Sequence, residues 1–283
     1  MKVFKTKTEI DYAIKLLKSD NITIGLVPTM GALHVGHLSL IKRGLKENDI
    51  VVVSIFVNPT QFDNTDDLAK YPRTIARDIE LLKIVSTDKI LVYTPSVEDI
   101  YGNDVLASKF DFDGLEFEME GRFRNGHFDG VGTIVKRFFE IVKPNKAYFG
   151  EKDFQQLQII KKLVVKHQLP VIVVGCEIYR DSNGLAMSSR NERLSLQYRQ
   201  EAPFIYKTLQ TAKSKFGTKS ANKVSEWVTR EFAKNKILNL EYFSIAETET
   251  LKPAGRKSNK KKYRAFIAVY AGEIRLIDNL ALN

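Results

Sequence analysis

The sequence predicts an α/β protein: a doubly wound parallel sheet with a second, smaller α+β domain. Three observations carry this. Strand-length apolar runs alternate with amphipathic helical stretches through the first two thirds of the chain. Those runs are rich in Val, Ile and Phe, as strands covered on both faces should be. From Leu194 the order changes to two helical segments followed by three strand-like runs. A length of 283 residues suits two domains or one large one.

Strands are expected over 22–27, 50–57, 89–93, 146–149 and 171–178, and helices over 9–17, 38–46, 73–85, 130–142 and 154–167. In the third helix Ile75, Ile79, Leu82 and Val85 recur at spacings of three and four, a core-facing stripe. Right-handed crossovers then build the sheet, and ligands bind beyond the C-terminal ends of its strands. Helices over 196–215 and 222–234 and strands over 240–246, 264–270 and 273–277 form the second domain, with Ala271-Gly272 as a hairpin turn. Asp181-Ser182-Asn183-Gly184 carries turn residues without a core pattern and is expected as a hinge.

Composition narrows the function classes. With 43% apolar residues the chain can bury a sizeable core. Its one cysteine, Cys176, forms no intramolecular disulfide, fits a reducing cytoplasm, and reads as a buried strand residue. Residues 1–20 lack the apolar stretch of a signal peptide, and the apolar runs are too short to span a membrane. The net charge of +10 lies wholly in residues 178–283, since residues 1–177 hold 24 basic and 24 acidic side chains. Such a region attracts anions, ATP or nucleic acid among them. The run Arg256-Lys257-Ser258-Asn259-Lys260-Lys261-Lys262 has no interleaved aromatics and reads as a solvated loop.

The chemistry concentrates where strands end. Pro28-Thr29-Met30-Gly31-Ala32-Leu33-His34-Val35-Gly36-His37 joins the first strand to a helix, with two of the four histidines in one turn. Backbone N–H groups and the helix dipole favour phosphate there, and two imidazoles add donors to developing charge. Walker and G-x-G-x-x-G patterns are absent, and no Cys or third His stands nearby to complete a zinc site. A nucleotide site of the HxGH kind is the better reading. Phe56-Val57-Asn58-Pro59-Thr60-Gln61-Phe62 brings amides suited to a hydroxy acid. Arg124-Asn125-Gly126-His127-Phe128-Asp129 offers a second anion-friendly helix start, with Asp129 able to cap it. Gly150-Glu151-Lys152-Asp153 supplies a cation beside an expected anion site and a carboxylate that could cap a helix or approach a metal ion. Gln155 and Gln156 point to different helix faces, so at most one faces the site. Met187-Ser188-Ser189-Arg190 offers hydroxyls and an arginine to a polyphosphate, resembling the mobile KMSKS-type loop of class I aminoacyl-tRNA synthetases.

Taken in order, PTMGALHVGH, FVNPTQF, Tyr71-Pro72-Arg73, GHFDGV, YFGEKDFQQL, MSSRN and Arg275-Leu276-Ile277-Asp278-Asn279 resemble the pantoate–β-alanine ligase family over nearly the whole chain. The resemblance implies a Rossmann-type domain (1–177) that binds nucleotide and pantoate, a smaller lid and dimer domain (178–283), and a cytoplasmic homodimer. It implies ATP and Mg²⁺, a pantoyl-adenylate intermediate, and aminolysis of that intermediate by β-alanine. By the same resemblance Met30, Gly31, Ala32, Leu33, His34, Val35, Gly36 and His37 form the ATP turn. Gly150, Glu151, Lys152, Asp153, Met187, Ser188, Ser189 and Arg190 complete the nucleotide site. His34, His37, Lys152 and Arg190 carry catalysis, Gln61 and Gln156 hold pantoate, and Asn58, Gln61, Arg124 and His127 lie near β-alanine. Asp153 is the candidate metal ligand, with the ion held largely by ATP. The family pattern is departed from at Val35, at Asn125 and in a longer lysine-rich segment. Two other readings are another HxGH nucleotidyltransferase, which would need a second phosphate site, and an RNA-binding protein on a synthetase-like core, for which no aromatic platform is evident. A membrane role is excluded by the same composition.

Overall fold

The computed structural model describes residues 1–63 and 65–283 as two compact units, one of Met1–Glu151 with Gln155–Glu177, the other of Lys152–Phe154 with Ile178–Asn283.

The first unit holds β1 (Lys2–Phe4), β2 (Ile24–Thr29), β3 (Ile50–Ile55), β4 (Ile90–Tyr93), β5 (Lys146–Gly150) and β6 (Ile172–Cys176). They pair in parallel in the order β1-β4-β3-β2-β5-β6. Interleaved with them are α1 (Lys7–Ser19), α2 (Val35–Glu47), α3 (Thr65–Lys70), α4 (Ile75–Val85), α5 (Val97–Tyr101), α6 (Glu120–Phe123), α7 (His127–Val142) and α8 (Phe154–Lys166). The sequence periodicity explains the layers. Val51, Val53 and Ile55 of β3 pack with Ile41 of α2 and Leu82 of α4 in one core cluster, and α1 packs with α7. Strand order turns at β2, whose neighbours are β3 on one side and β5 on the other. The β2–β5 ladder covers only Gly25–Lys146 and Leu26–Ala147. Past it β2 stays paired only with β3 and β5 only with β6 before each enters its own loop, the arrangement that places ligands at the switch point of such sheets.

Two features escape the apolar pattern. The short β1 lies at the sheet edge with Lys2 and Val3 exposed. Pro28 continues β2 beyond the expected end, opposite Ser54 of β3. It does so where the registered β5 ladder has stopped, so its missing N–H breaks no ladder bond on that side.

The second unit packs α10 (Pro203–Thr218) and α11 (Ala221–Lys234), preceded by α9 (Leu196–Glu201), on an antiparallel sheet of β7 (Leu238–Glu247), β8 (Tyr263–Ala271) and β9 (Ile274–Ala281). Ala265, Ile267 and Val269 alternate toward Leu209, Val224 and Val228, the period-two signature of a strand with one face on helices. The helix expected over 196–215 is broken at Ala202, because Pro203 brings no N–H and starts a new helix at its favoured first position. The expected hinge at 181–184 is a closed turn: Gly184 N–H donates to Asp181 O, Asp181 N–H to Leu185 O, and the Asp181 carboxylate accepts from Asn183 and Leu185. Among the described residues no helix is long and apolar enough to cross a membrane.

Candidate active site

His34 is the N-cap of α2, in extended backbone at φ −140°. Its Nδ1 accepts the Gly36 N–H at 3.1 Å, and the His37 Nδ1 accepts the His34 N–H at 3.3 Å. This is a capping box built from imidazoles in place of a hydroxyl and a carboxylate. Each Nδ1 is an acceptor, so each neutral ring carries its proton on Nε2. The rings lie 4.0 Å apart, centroid to centroid.

The loop leading into that cap is held from a distance. Gly31 has φ +82°, a conformation glycine adopts without strain, and Ala32 follows at φ +49°. Asp78 of α4, fully buried, accepts the Ala32 N–H at 3.0 Å and the Leu33 N–H at 2.7 Å, and the Thr74 hydroxyl at 3.2 Å. Sequence reasoning passed over Asp78. The expected core-facing stripe of α4 fails at Ile75, which is 45% exposed: the buried residues of the helix are Asp78 and Leu82, so a carboxylate stands where an apolar side chain was expected and needs buried donors.

Four residues expected to handle the organic substrates form one cluster in this unit. Asn58, 1% exposed, donates to Gln61 Oε1 at 3.2 Å and to Gly130 O at 3.1 Å, while its own oxygen accepts from the Tyr101 hydroxyl at 2.6 Å. The Gln61 amide is thereby oriented, with Nε2 toward Met30 Sδ at 2.8 Å. His127 Nδ1 lies 2.8 Å from Gln61 O, and Arg124 Nη1 lies 3.2 Å from His127 Nε2. A carbonyl only accepts and a guanidinium only donates, so these two contacts suit a ring that donates from Nδ1 and accepts at Nε2. Tyr101 was not foreseen from sequence; it also carries the Arg137 guanidinium 4.4 Å over its ring. Asp129 does not cap α7. Gly126, at φ +73°, holds the N-cap, and the Asp129 carboxylate binds Phe110 N–H and Lys109. Gln155 spends its amide on Leu115 O, Glu118 O and Glu120 N–H, and half-buried Gln156 takes no part in that network.

In the second unit Lys152 lies in a 3₁₀ turn just before α8, its side chain 16% exposed and its Nζ 3.5 Å from the Asp153 carboxylate. The 179–187 hairpin delivers the other polar group. Ser188 caps a 3₁₀ turn over Ser189–Arg193 by accepting the Arg190 N–H at 3.3 Å, and buried Asn191 ties the turn to Ala186 O. Residues 187–190 are all half-buried. Among the described residues no three His, Cys, Asp or Glu side chains gather as a metal-binding group. Cys176 is buried in β6, and burial pushes its thiol up to about 11.

The chain matches a family profile described as pantoate-beta-alanine ligase over residues 2–281. It is 59% identical over 283 residues to a pantothenate synthetase of Christiangramia forsetii, covering all of both chains. It superposes on the crystal structure of a Thermus thermophilus pantothenate synthetase with a TM-score of 0.91 at 37% identity, covering 100% of this chain and 99% of that one. A Francisella tularensis pantoate-beta-alanine ligase, complexed with β-γ ATP and β-alanine, matches with a TM-score of 0.80 at 33% identity, covering 100% of this chain and 98% of that one.

Proposed function

This chain belongs to the pantoate–β-alanine ligase family, and from that premise we propose how its residues carry out the ATP-dependent joining of pantoate to β-alanine. The pantoate carboxylate attacks the α-phosphorus of ATP, an acyl–O–P bond forms, and pyrophosphate leaves with the electrons of the broken P–O bond. The neutral amine of β-alanine then attacks the acyl carbon, AMP departs, and the amine's proton passes to solvent. The first nucleophile is ionised at neutral pH and needs no general base. What it needs is placement and charge neutralisation.

The observation that carries this reading is the imidazole capping box, which gives both histidines an Nε2–H at the positive end of α2. His34 and His37 donate to the phosphates, and the backbone of Met30, Gly31, Ala32, Leu33, Val35 and Gly36 shapes the turn around them. Lys152 and Arg190 bring positive charge, Ser188 and Ser189 bring hydroxyls, and Gly150, Glu151, Asp153 and Met187 line the nucleotide. Gln61 and Gln156 hold pantoate. Asn58, Arg124 and His127 set the Gln61 end of that pocket, where β-alanine enters. Mg²⁺ carried on the ATP phosphates supplies further charge neutralisation. Among the described residues no three His, Cys, Asp or Glu side chains gather to hold an ion of the protein's own, which fits an ion brought by its substrate, with Asp153, its side chain 51% exposed, as the candidate carboxylate. The reading takes the enzyme as a cytoplasmic homodimer, and light scattering tests the assembly.

AMP release from ATP, Mg²⁺, pantoate and β-alanine, with each organic substrate omitted in turn, is the deciding experiment. AMP formation that needs both, with pyrophosphate–ATP exchange that needs pantoate alone, is expected. Folded, ATP-binding protein that releases no AMP would overturn the assignment.

A further inference from the structure

The segment Arg275-Leu276-Ile277-Asp278-Asn279 lies in β9 and is given no role in the chemistry above. Its last two residues are nonetheless buried and polar, Asp278 at 5% and Asn279 at 1% exposure. Asn279 Nδ2 donates to the backbone oxygen of Lys152 at 2.8 Å. Its Oδ1 accepts from the Arg264 guanidinium, which fixes which way the amide faces. Arg264 also lies 4.0 Å over the ring of Phe154, two residues beyond Lys152. The Lys152–Phe154 segment is therefore gripped at both ends by neighbouring residues of β8 and β9.

Asp278 grips a second segment. Its two oxygens take the Arg180 guanidinium at 2.6 and 2.8 Å, the paired geometry that fixes orientation as well as distance. Arg180 also donates to Gly184 O at 3.1 Å and stacks 3.8 Å over Tyr206. Its backbone bridges Ala186, and the next four residues are 187–190. Asp278 Oδ1 further accepts the Asn279 N–H at 2.7 Å, locking the dipeptide to itself.

We propose that Asp278 and Asn279 are positioning residues for adenylation: one dipeptide of β9 fixes the roots of both segments that bring cations and hydroxyls to the triphosphate, with Asn279 acting through Lys152. This rests on the functional reading given above. In this proposal the pair has no contact with substrate. Its role is geometric, and misplacement of a catalytic group by about 1 Å costs on the order of 10²-fold in rate.

The test compares the two half-reactions. Pantoate-dependent pyrophosphate–ATP exchange measures adenylation, and single-turnover attack of β-alanine on preformed pantoyl adenylate measures aminolysis. Their ratio does not depend on the fraction of enzyme folded. Asn279→Ala, and the near-isosteric Asn279→Asp, which sets a carboxylate oxygen against the Lys152 carbonyl, should lower that ratio about tenfold or more, a smaller loss than full misplacement. In a Lys152→Ala background Asn279→Ala should have little further effect on exchange, because the two residues act as one unit. An unchanged ratio in both variants, or additive losses with Lys152→Ala, overturns the proposal. Absence of exchange in the unaltered enzyme would instead overturn the functional reading, so the two failures are distinct.

Discussion

A neutral imidazole whose Nδ1 accepts a backbone N–H presents its proton at Nε2, and two such rings, tilted 38° to each other at one helix start, form the donor pair that the proposed function directs at phosphate. Removing one donor aimed at transition-state charge typically costs about 10²–10³ in rate. His37→Ala should therefore slow adenylation by that order while leaving the protein folded, read by pyrophosphate exchange beside far-UV circular dichroism; an unaltered rate would remove His37 from the chemistry. Asp78 sets the loop from which His34 emerges. Asp78→Asn replaces a carboxylate that accepts two N–H donors with a group that can accept at one atom and turns a donor toward the other. Burying that mismatch should cost about 1–3 kcal/mol in urea unfolding, and stability unchanged within error would argue against a structural role for the carboxylate. The histidines were legible because a strand-to-helix turn with paired imidazoles is local. Asp78 and Tyr101 were not, because each meets its partners only after the sheet has brought separate strand ends together.

Among the elements, α7 shows why motif and packing cannot be separated. A Cβ on Gly130 would stand 2.2 Å from Thr60 O, a backbone atom that cannot swing aside. The close approach lets Asn58 reach Gly130 O and brings His127 to Gln61 O. Gly130→Ala should push the helix off the 59–61 turn, destabilise the fold by about 1–3 kcal/mol, and raise KM for pantoate more than KM for ATP. Equal KM changes would detach this helix start from the pantoate side. At the other end of α2, Glu47 accepts from Arg43, Lys146 and Tyr148, with Arg43 the leading cause, and its carboxyl is held down from 4.5 to about 2. A carboxylate more acidic folded than unfolded stabilises the fold above its unfolded value and loses that contribution as pH falls toward about 2. Glu47→Gln should thus lower stability at pH 7 and flatten the acid limb of a urea-midpoint profile between roughly pH 4.5 and 2; a parallel displacement of the whole profile would show that the ion pairs contribute nothing. The helices and buried strands were readable from their periods. The edge strand β1 offered too short a pattern, and the break at Pro203 was hidden by apolar residues that keep helical spacing on both sides of it.

At the scale of the whole molecule the charge is divided unevenly, and the question is whether the basic third recognises anything larger than a nucleotide. The lysine-rich segment answers in part through its contacts. Lys257 donates to Phe216 O and, at 3.3 Å, to Gly217 O, in the last turn of α10, and lies 4.3 Å over the Phe216 ring. A cation there satisfies orphan carbonyls and complements the helix dipole. Lys261 pairs with Glu247 at 2.5 Å. Two of the basic side chains are thus engaged by the fold itself, while Arg256, Lys260 and Lys262 are exposed. Tyr263, the aromatic beside the run, is buried rather than offered for stacking, so the segment lacks the base-stacking surface on which single-strand binders depend. What remains is diffuse charge, whose pull on a polyanion fades with salt as counterions compete. A fluorescent single-stranded RNA should accordingly bind at about micromolar affinity or weaker near 0.15 M salt, and Lys260→Ala with Lys262→Ala should leave kcat/KM for ATP unchanged. Submicromolar RNA binding that survives that salt and is lost in the double variant would give the segment a function of its own, whereas a loss of kcat/KM for ATP alone would make these lysines part of the nucleotide's approach.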